Sequence, residues 1–185
     1  MSKAVLISIR PQWCQKIASA EKTIEVRKTR PKLETPFKAY IYCTMPDAKD
    51  PHNILELHGA DGKIRKANGK IIGEFTCDWI QSFDSAYSEW AYAVAPSGSV
   101  MPMHETKALE LCQKDGCLSD DDVLSYFGDE DWKAYFWHIA DLRIYDTPRE
   151  LSEFTGLRDT RFGAAPYGIK RPPQSWCYVE AMKDD

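Results

Sequence analysis

The chain has 185 residues, of which 43% are hydrophobic and 28% charged, with a net charge of −4. This length predicts one domain, and the composition falls in the globular range, which excludes collagenous and disordered classes. No apolar run approaches the roughly 18 residues that a membrane-spanning helix needs.

The first predicted element is a buried strand at residues 4–9 (Ala-Val-Leu-Ile-Ser-Ile), an apolar and β-branched run. Arg10-Pro11 then opens a helix, since a first-turn proline loses no hydrogen bond there. Trp13, Cys14, Ile17 and Ala18 give that helix one apolar stripe, to about residue 20. Arg10-Pro11 comes too early for a signal-peptide core. Residues 23–29 alternate, with Ile24 and Val26 on one face and Thr23, Glu25, Arg27 and Thr29 on the other, which predicts a second strand. A third follows at 37–44, then a loop or short excursion over 45–68 rich in Pro and Gly, and a strand at 70–80.

Residues 85–95 fit helix and strand equally. Helices are expected at 104–115 and 119–127, the second with Ser119 as N-cap and Asp120, Asp121 and Asp122 in its first turn. An aromatic-rich strand is expected at 134–145, a short helix from Pro148 to about Phe154, a structured loop at 156–174 and a last strand at 175–182. The sum is six strands and four or five helices with no internal repeat. It reads as one α+β domain over 1–185, a small mixed β-barrel with flanking helices and a helical insertion at about 81–134.

Six cysteines lie without paired spacing. With no export signal they read as free thiols of a reducing, cytoplasmic compartment. Cys112, Cys117 and His104 lack the second tight pair of a zinc framework, so no metal or cofactor is expected.

Charge is uneven. Residues 1–40 hold nine Lys/Arg against three Glu, whereas the remainder holds 15 basic and 25 acidic residues, many of the latter within 115–131. The N-terminal excess suits an anionic ligand, and the acidic 115–131 stretch suits a protein partner.

The densest polar cluster is Lys22, Glu25 and Arg27. It could set an ammonium, a carboxylate and a guanidinium at one pocket mouth, where Arg and Lys hold phosphate and Glu accepts from an amino group or transfers protons. A solvated strand with a weak ion pair would look the same in sequence. Arg10, at the strand–helix junction, is a further phosphate ligand. Ser175 could reach a phosphate or its own backbone, and Trp176 and Tyr178 could stack a base or pack in the core. His138 could be a general base or a hydrogen-bonded structural residue.

Residues 6–11 and 20–27 resemble the ASCH domain, a member of the PUA-like barrel superfamily whose pattern is G-x-K-x-x-E-x-R. Lys22, Glu25 and Arg27 match its charged positions, and Ala20 stands where the pattern has Gly. Residues 69–75 and 171–179 resemble its mid-barrel and final strands. The resemblance implies a PUA-like barrel whose cleft, framed by Arg10, Lys22, Glu25, Arg27, Ser175 and Trp176, binds RNA or a modified nucleoside. The alternative it implies is a hydrolase acting on RNA (a ribonuclease) or on 4-acetylcytidine, with Lys22 and Glu25 as catalytic proton-transfer groups. Against the amidohydrolase stands Glu25, which occupies the position of that enzyme's Thr nucleophile.

Overall fold

The protein is described from a computed structural model covering residues 2–48, 50–85, 91–94, 100–103, 105–128 and 131–182, with backbone alone over 91–94 and 100–103. These residues gather into two compact units. The first comprises Met1–Ala18, Phe37–Thr76 and Asp141–Asp185, and the second Ser19–Pro36 and Cys77–Ala140.

The first unit is built on β1 (Lys3–Ile9), followed by helix α1 (Pro11–Ala18). Strand β2 (Ile24–Arg27) belongs to the second unit, and the chain returns to the first with β3 (Phe37–Cys43), parallel to β1. Six consecutive residues of β1 are buried, as a strand covered on both faces requires. On α1 the buried residues are Pro11, Cys14 and Ile17, matching the predicted stripe.

Within 45–68 lies a small hairpin, β4 (Glu56–His58) with β5 (Ile64–Lys66). The single strand expected at 70–80 is two strands, β6 (Lys70–Cys77) and β7 (Ile80–Asp84). Between them the Trp79 carbonyl accepts from Cys77 Sγ (3.4 Å) and His138 N (3.1 Å), which turns the backbone out of the β6 ladder.

The second unit continues with β8 (Ala91–Val94), β9 (Val100–Met103), α2 (Glu105–Glu110), a π-helical turn (Leu111–Asp115) and α3 (Asp120–Phe127). Both helical expectations hold for the described residues. Ser119 caps α3, its Oγ accepting from Asp122 N while Asp122 accepts from Ser119 N. Of residues 85–95, 91–94 form a strand, while 86–90 and 95 lie outside the described residues, as do His104, Asp129 and Glu130.

The aromatic strand expected at 134–145 also divides, into β10 (Lys133–His138) and β11 (Ala140–Arg149). Ile139 N donates to Thr23 O at 2.9 Å, and Asp141 adopts a φ of 48°, which together interrupt the run. Pro148 does not open a helix. It lies inside β11, an end strand of its sheet, where a missing N–H is tolerated, and only a 3₁₀ turn (Leu151–Glu153) follows. The loop expected at 156–174 contains a hairpin, β12 (Thr155–Thr160) with β13 (Gly163–Gly168), before β14 (Trp176–Glu180).

The seven-stranded sheet runs β11-β6-β3-β1-β14-β12-β13. A three-stranded sheet, β2-β10-β7, and the ribbons β4-β5 and β8-β9 complete the set. The mixed α+β class is as expected. The six-strand closed barrel is not observed: among the described residues β11 and β13 end the large sheet without pairing to each other.

Ala4, Leu6, Tyr40, Tyr42, Ile71, Phe154 and Val179 form a core in the first unit. In the second, Ile24, Val26, Phe83, Ala134 and Phe136 pack with Ala108, Leu111, Cys112 and Val123 of the helical segment. No helix among the described residues is long and apolar enough to cross a membrane.

Candidate functional site

Strand β2 pairs antiparallel with β10, placing Glu25 opposite Trp137, Arg27 opposite Tyr135, Val26 opposite Phe136 and Ile24 opposite His138. Directly opposed residues share a face, so Glu25 and Arg27 share one with Trp137 and Tyr135, while Ile24 and Val26 turn into the core. The alternation read from the sequence is therefore correct. The expected exposure at a pocket mouth is not: Lys22 is 2%, Glu25 5% and Arg27 8% exposed. With Ser8, these are the buried polar residues among those described.

The three charges stand together. Arg27 Nε lies 2.8 Å from Glu25 Oε1 and Lys22 Nζ lies 3.5 Å from Glu25 Oε2. The arginine contact is ionic, because its N–H is not aimed at the oxygen. Among the described residues no hydrogen bond reaches Glu25 Oε2, although it is fully enclosed. A carboxylate out of water needs compensation, and the Lys22 ammonium at 3.5 Å supplies it to this oxygen as an ion pair.

Lys22 is held by residues 115–117. Its Nζ donates to Gly116 O at 2.6 Å, Thr23 N donates to Asp115 O at 3.0 Å, and Cys117 Sγ donates to Glu21 O at 3.5 Å. The end of the π-helical turn thus grips residues 21–23 at three points. Gly116 is required there, since a Cβ would lie 2.6 Å from Cys112 O and 3.0 Å from Val26 Cγ2. Burial pushes the Cys112 thiol up to about 12, with the Lys22 charge acting in the opposite sense, so this sulfur stays protonated and inert near neutrality. Gly116 is the site residue that sequence reasoning missed, because nothing local links it to a lysine 94 positions earlier.

Arg10, Ser175 and Trp176 belong to the first unit, Lys22, Glu25 and Arg27 to the second. Arg10 is exposed, and its carbonyl accepts from Trp13 N and Cys14 N, both at 3.0 Å, at the start of α1. Ser175 O accepts from Ser8 N at 2.9 Å, and Ile7 pairs with Trp176, so these residues share one end of the β1–β14 pair. Trp176 and Tyr178 are half-buried and meet edge-to-face at 5.4 Å.

His138 holds Asp78 Oδ1 at 2.6 Å through Nδ1 and stacks on Trp79 at 4.7 Å, so it is oriented as well as hydrogen-bonded. No group of three His, Cys, Asp or Glu that could hold a metal occurs among the described residues.

Among solved structures, the chain resembles ASCH from Zymomonas mobilis with a TM-score of 0.58 and 18% identity, over 96% of this chain and 87% of that one. A mutant protein of the same ASCH aligns with a TM-score of 0.55 and 18% identity, over 96% and 88% of the two chains. The chain has the ASCH fold. No protein-family model matches it, and no curated protein does. Against the ASCH pattern, Ala20 holds the position of the leading Gly and adopts a φ of 59°, the left-handed conformation that glycine takes without cost.

Proposed function

We propose that the protein is a cytoplasmic, PUA-like RNA- or modified-nucleoside-binding protein that recognises a base at Lys22, Glu25 and Arg27. Arg10, Ser175 and Trp176 of the first unit are read as a group of their own, Arg10 and the Ser175 hydroxyl for phosphate and Trp176 for stacking. The observation that carries it is the Glu25 carboxylate, with Arg27 Nε 2.8 Å from one oxygen and Lys22 Nζ 3.5 Å from the other. Such a carboxylate suits an exocyclic amino group, as on cytosine or adenine. Burying three charges gives stability little in return, so a binding role accounts for the group better than a scaffolding one. The six free cysteines fit a reducing compartment. The acidic stretch 115–131 is read as the side that meets a protein partner.

The test is incubation of wild type and Glu25→Gln with an RNA and nucleoside panel, read by native mass spectrometry. The expected result is nucleoside bound unaltered by wild type, with selectivity among bases reduced in Glu25→Gln. Turnover of 4-acetylcytidine that collapses in both Lys22→Ala and Glu25→Gln would replace the binder by a hydrolase.

A further inference from the structure

The β12–β13 hairpin ends in Arg161-Phe162. Phe162 is 86% exposed, and the Arg161 guanidinium lies 4.6 Å from the centre of its ring. The tip is held in shape. Thr160 Oγ1 accepts from Phe162 N (3.2 Å) and donates to Gly163 O (2.7 Å), and Gly163 has a φ of 107°, open to glycine alone. The hairpin is also rooted, since Leu157 is buried and the Tyr167 ring lies across Gly156, where a Cβ would come within 2.3 Å of it. An aromatic ring is therefore presented to solvent on a fixed support.

Its surroundings are basic in an acidic chain. Residues 155–174 hold four Lys/Arg and one Asp, while the chain carries −4. That one carboxylate, Asp159, is matched by Lys3 at 2.5 Å, whereas Arg158, Arg161, Lys170 and Arg171 are exposed. Pro166 lies mid-way along β13, an end strand, and edge prolines discourage pairing with another chain's strand. A peptide added to the edge therefore fits poorly. A flexible polyanion with flat bases fits well, because a ring stacks any base and guanidinium groups take phosphate.

We propose that this hairpin is a single-stranded RNA contact, in which Phe162 stacks on a base while Arg158 and Arg161 neutralise phosphates. It builds on the reading of the protein as an RNA binder and adds a surface separate in sequence and unit from Lys22, Glu25 and Arg27.

The experiment titrates a fluorescent oligouridylate of about 12 nucleotides against the full chain, with the nucleoside panel measured in parallel. Phe162→Ala should weaken RNA binding about tenfold, and Phe162→Trp should retain it. Arg161→Ala should lower the slope of log affinity against log salt by about one. No hairpin substitution should change nucleoside binding. RNA binding unchanged in Phe162→Ala overturns the proposal and leaves the hairpin for a protein partner, and so does a wild-type chain that binds no RNA. A hairpin effect on RNA in a protein that binds no nucleoside supports the hairpin and removes the Lys22 site instead.

Discussion

Exposed ion pairs of the first unit contrast with one enclosed group in the second. In the first, Lys70 meets Glu150 at 2.7 Å and Lys3 meets Asp159 at 2.5 Å, all four side chains open to water. In the second, Lys22, Glu25 and Arg27 meet at similar distances but with water excluded. The distances are alike and the energetics are not. Exposed pairs gain only ~0–1 kcal/mol, since solvent screens them and two long side chains must be ordered. The buried group gives up hydration on every member, and only mutual attraction with hydrogen bonds offsets that loss. A pair at the surface is thus close to decoration, whereas the enclosed trio makes every member indispensable to the others.

That contrast is broken most directly at Lys22. Lys22→Ala leaves Glu25 with half its compensation and should cost about 3–5 kcal/mol in urea unfolding, against ~0–1 kcal/mol for Lys70→Ala. Equal losses would show that burial is not what separates the pairs. Gly116→Ala comes next. Its Cβ would press on Cys112 O and Val26, so about 1–3 kcal/mol should be lost, and nucleoside affinity should fall with it because Gly116 O positions Lys22. Loss of stability with affinity intact would free Lys22 of its dependence on Gly116.

Alkaline pH sharpens the comparison through thiols instead of ion pairs. Burial raises Cys77 and Cys112 to about 12 from an ordinary 9.0. Their contribution to stability is complete below pH 9 and is lost as pH rises through about 12, because the unfolded chain ionises first. Melting temperature should therefore decline from about pH 9 upward. A flat profile over that span would place these thiols in contact with water. The smallest effect is expected at Ala20, where Ala20→Gly relieves the left-handed backbone and should add roughly 0.5–1 kcal/mol.

Much of this was legible in the sequence, and particular residues show why the rest was not. Local patterns carried β1, α1, β3, the Ser119 cap and the parity of Glu25 and Arg27, since each depends on neighbours within a few positions. Breaks at Trp79 and Ile139 were hidden, because both strand runs continue in composition and are interrupted by hydrogen bonds to distant backbone. The β12–β13 hairpin was hidden by its Gly and Pro content, which an end strand tolerates and a central one does not. The burial of Lys22 was hidden for a third reason: its enclosing carbonyl comes from Gly116, 94 positions further along the chain.

The central claim is that the enclosed trio serves binding and is not needed for folding. The most direct test replaces all three charges at once with Lys22→Met, Glu25→Leu and Arg27→Met, then measures unfolding in urea and nucleoside binding by native mass spectrometry. Replacing a whole buried ion group by apolar residues is often neutral or stabilising, whereas removing one member is not. The account predicts a folded triple variant at least as stable as wild type that binds no nucleoside. A triple variant that still binds nucleoside, or one that does not fold, would contradict it.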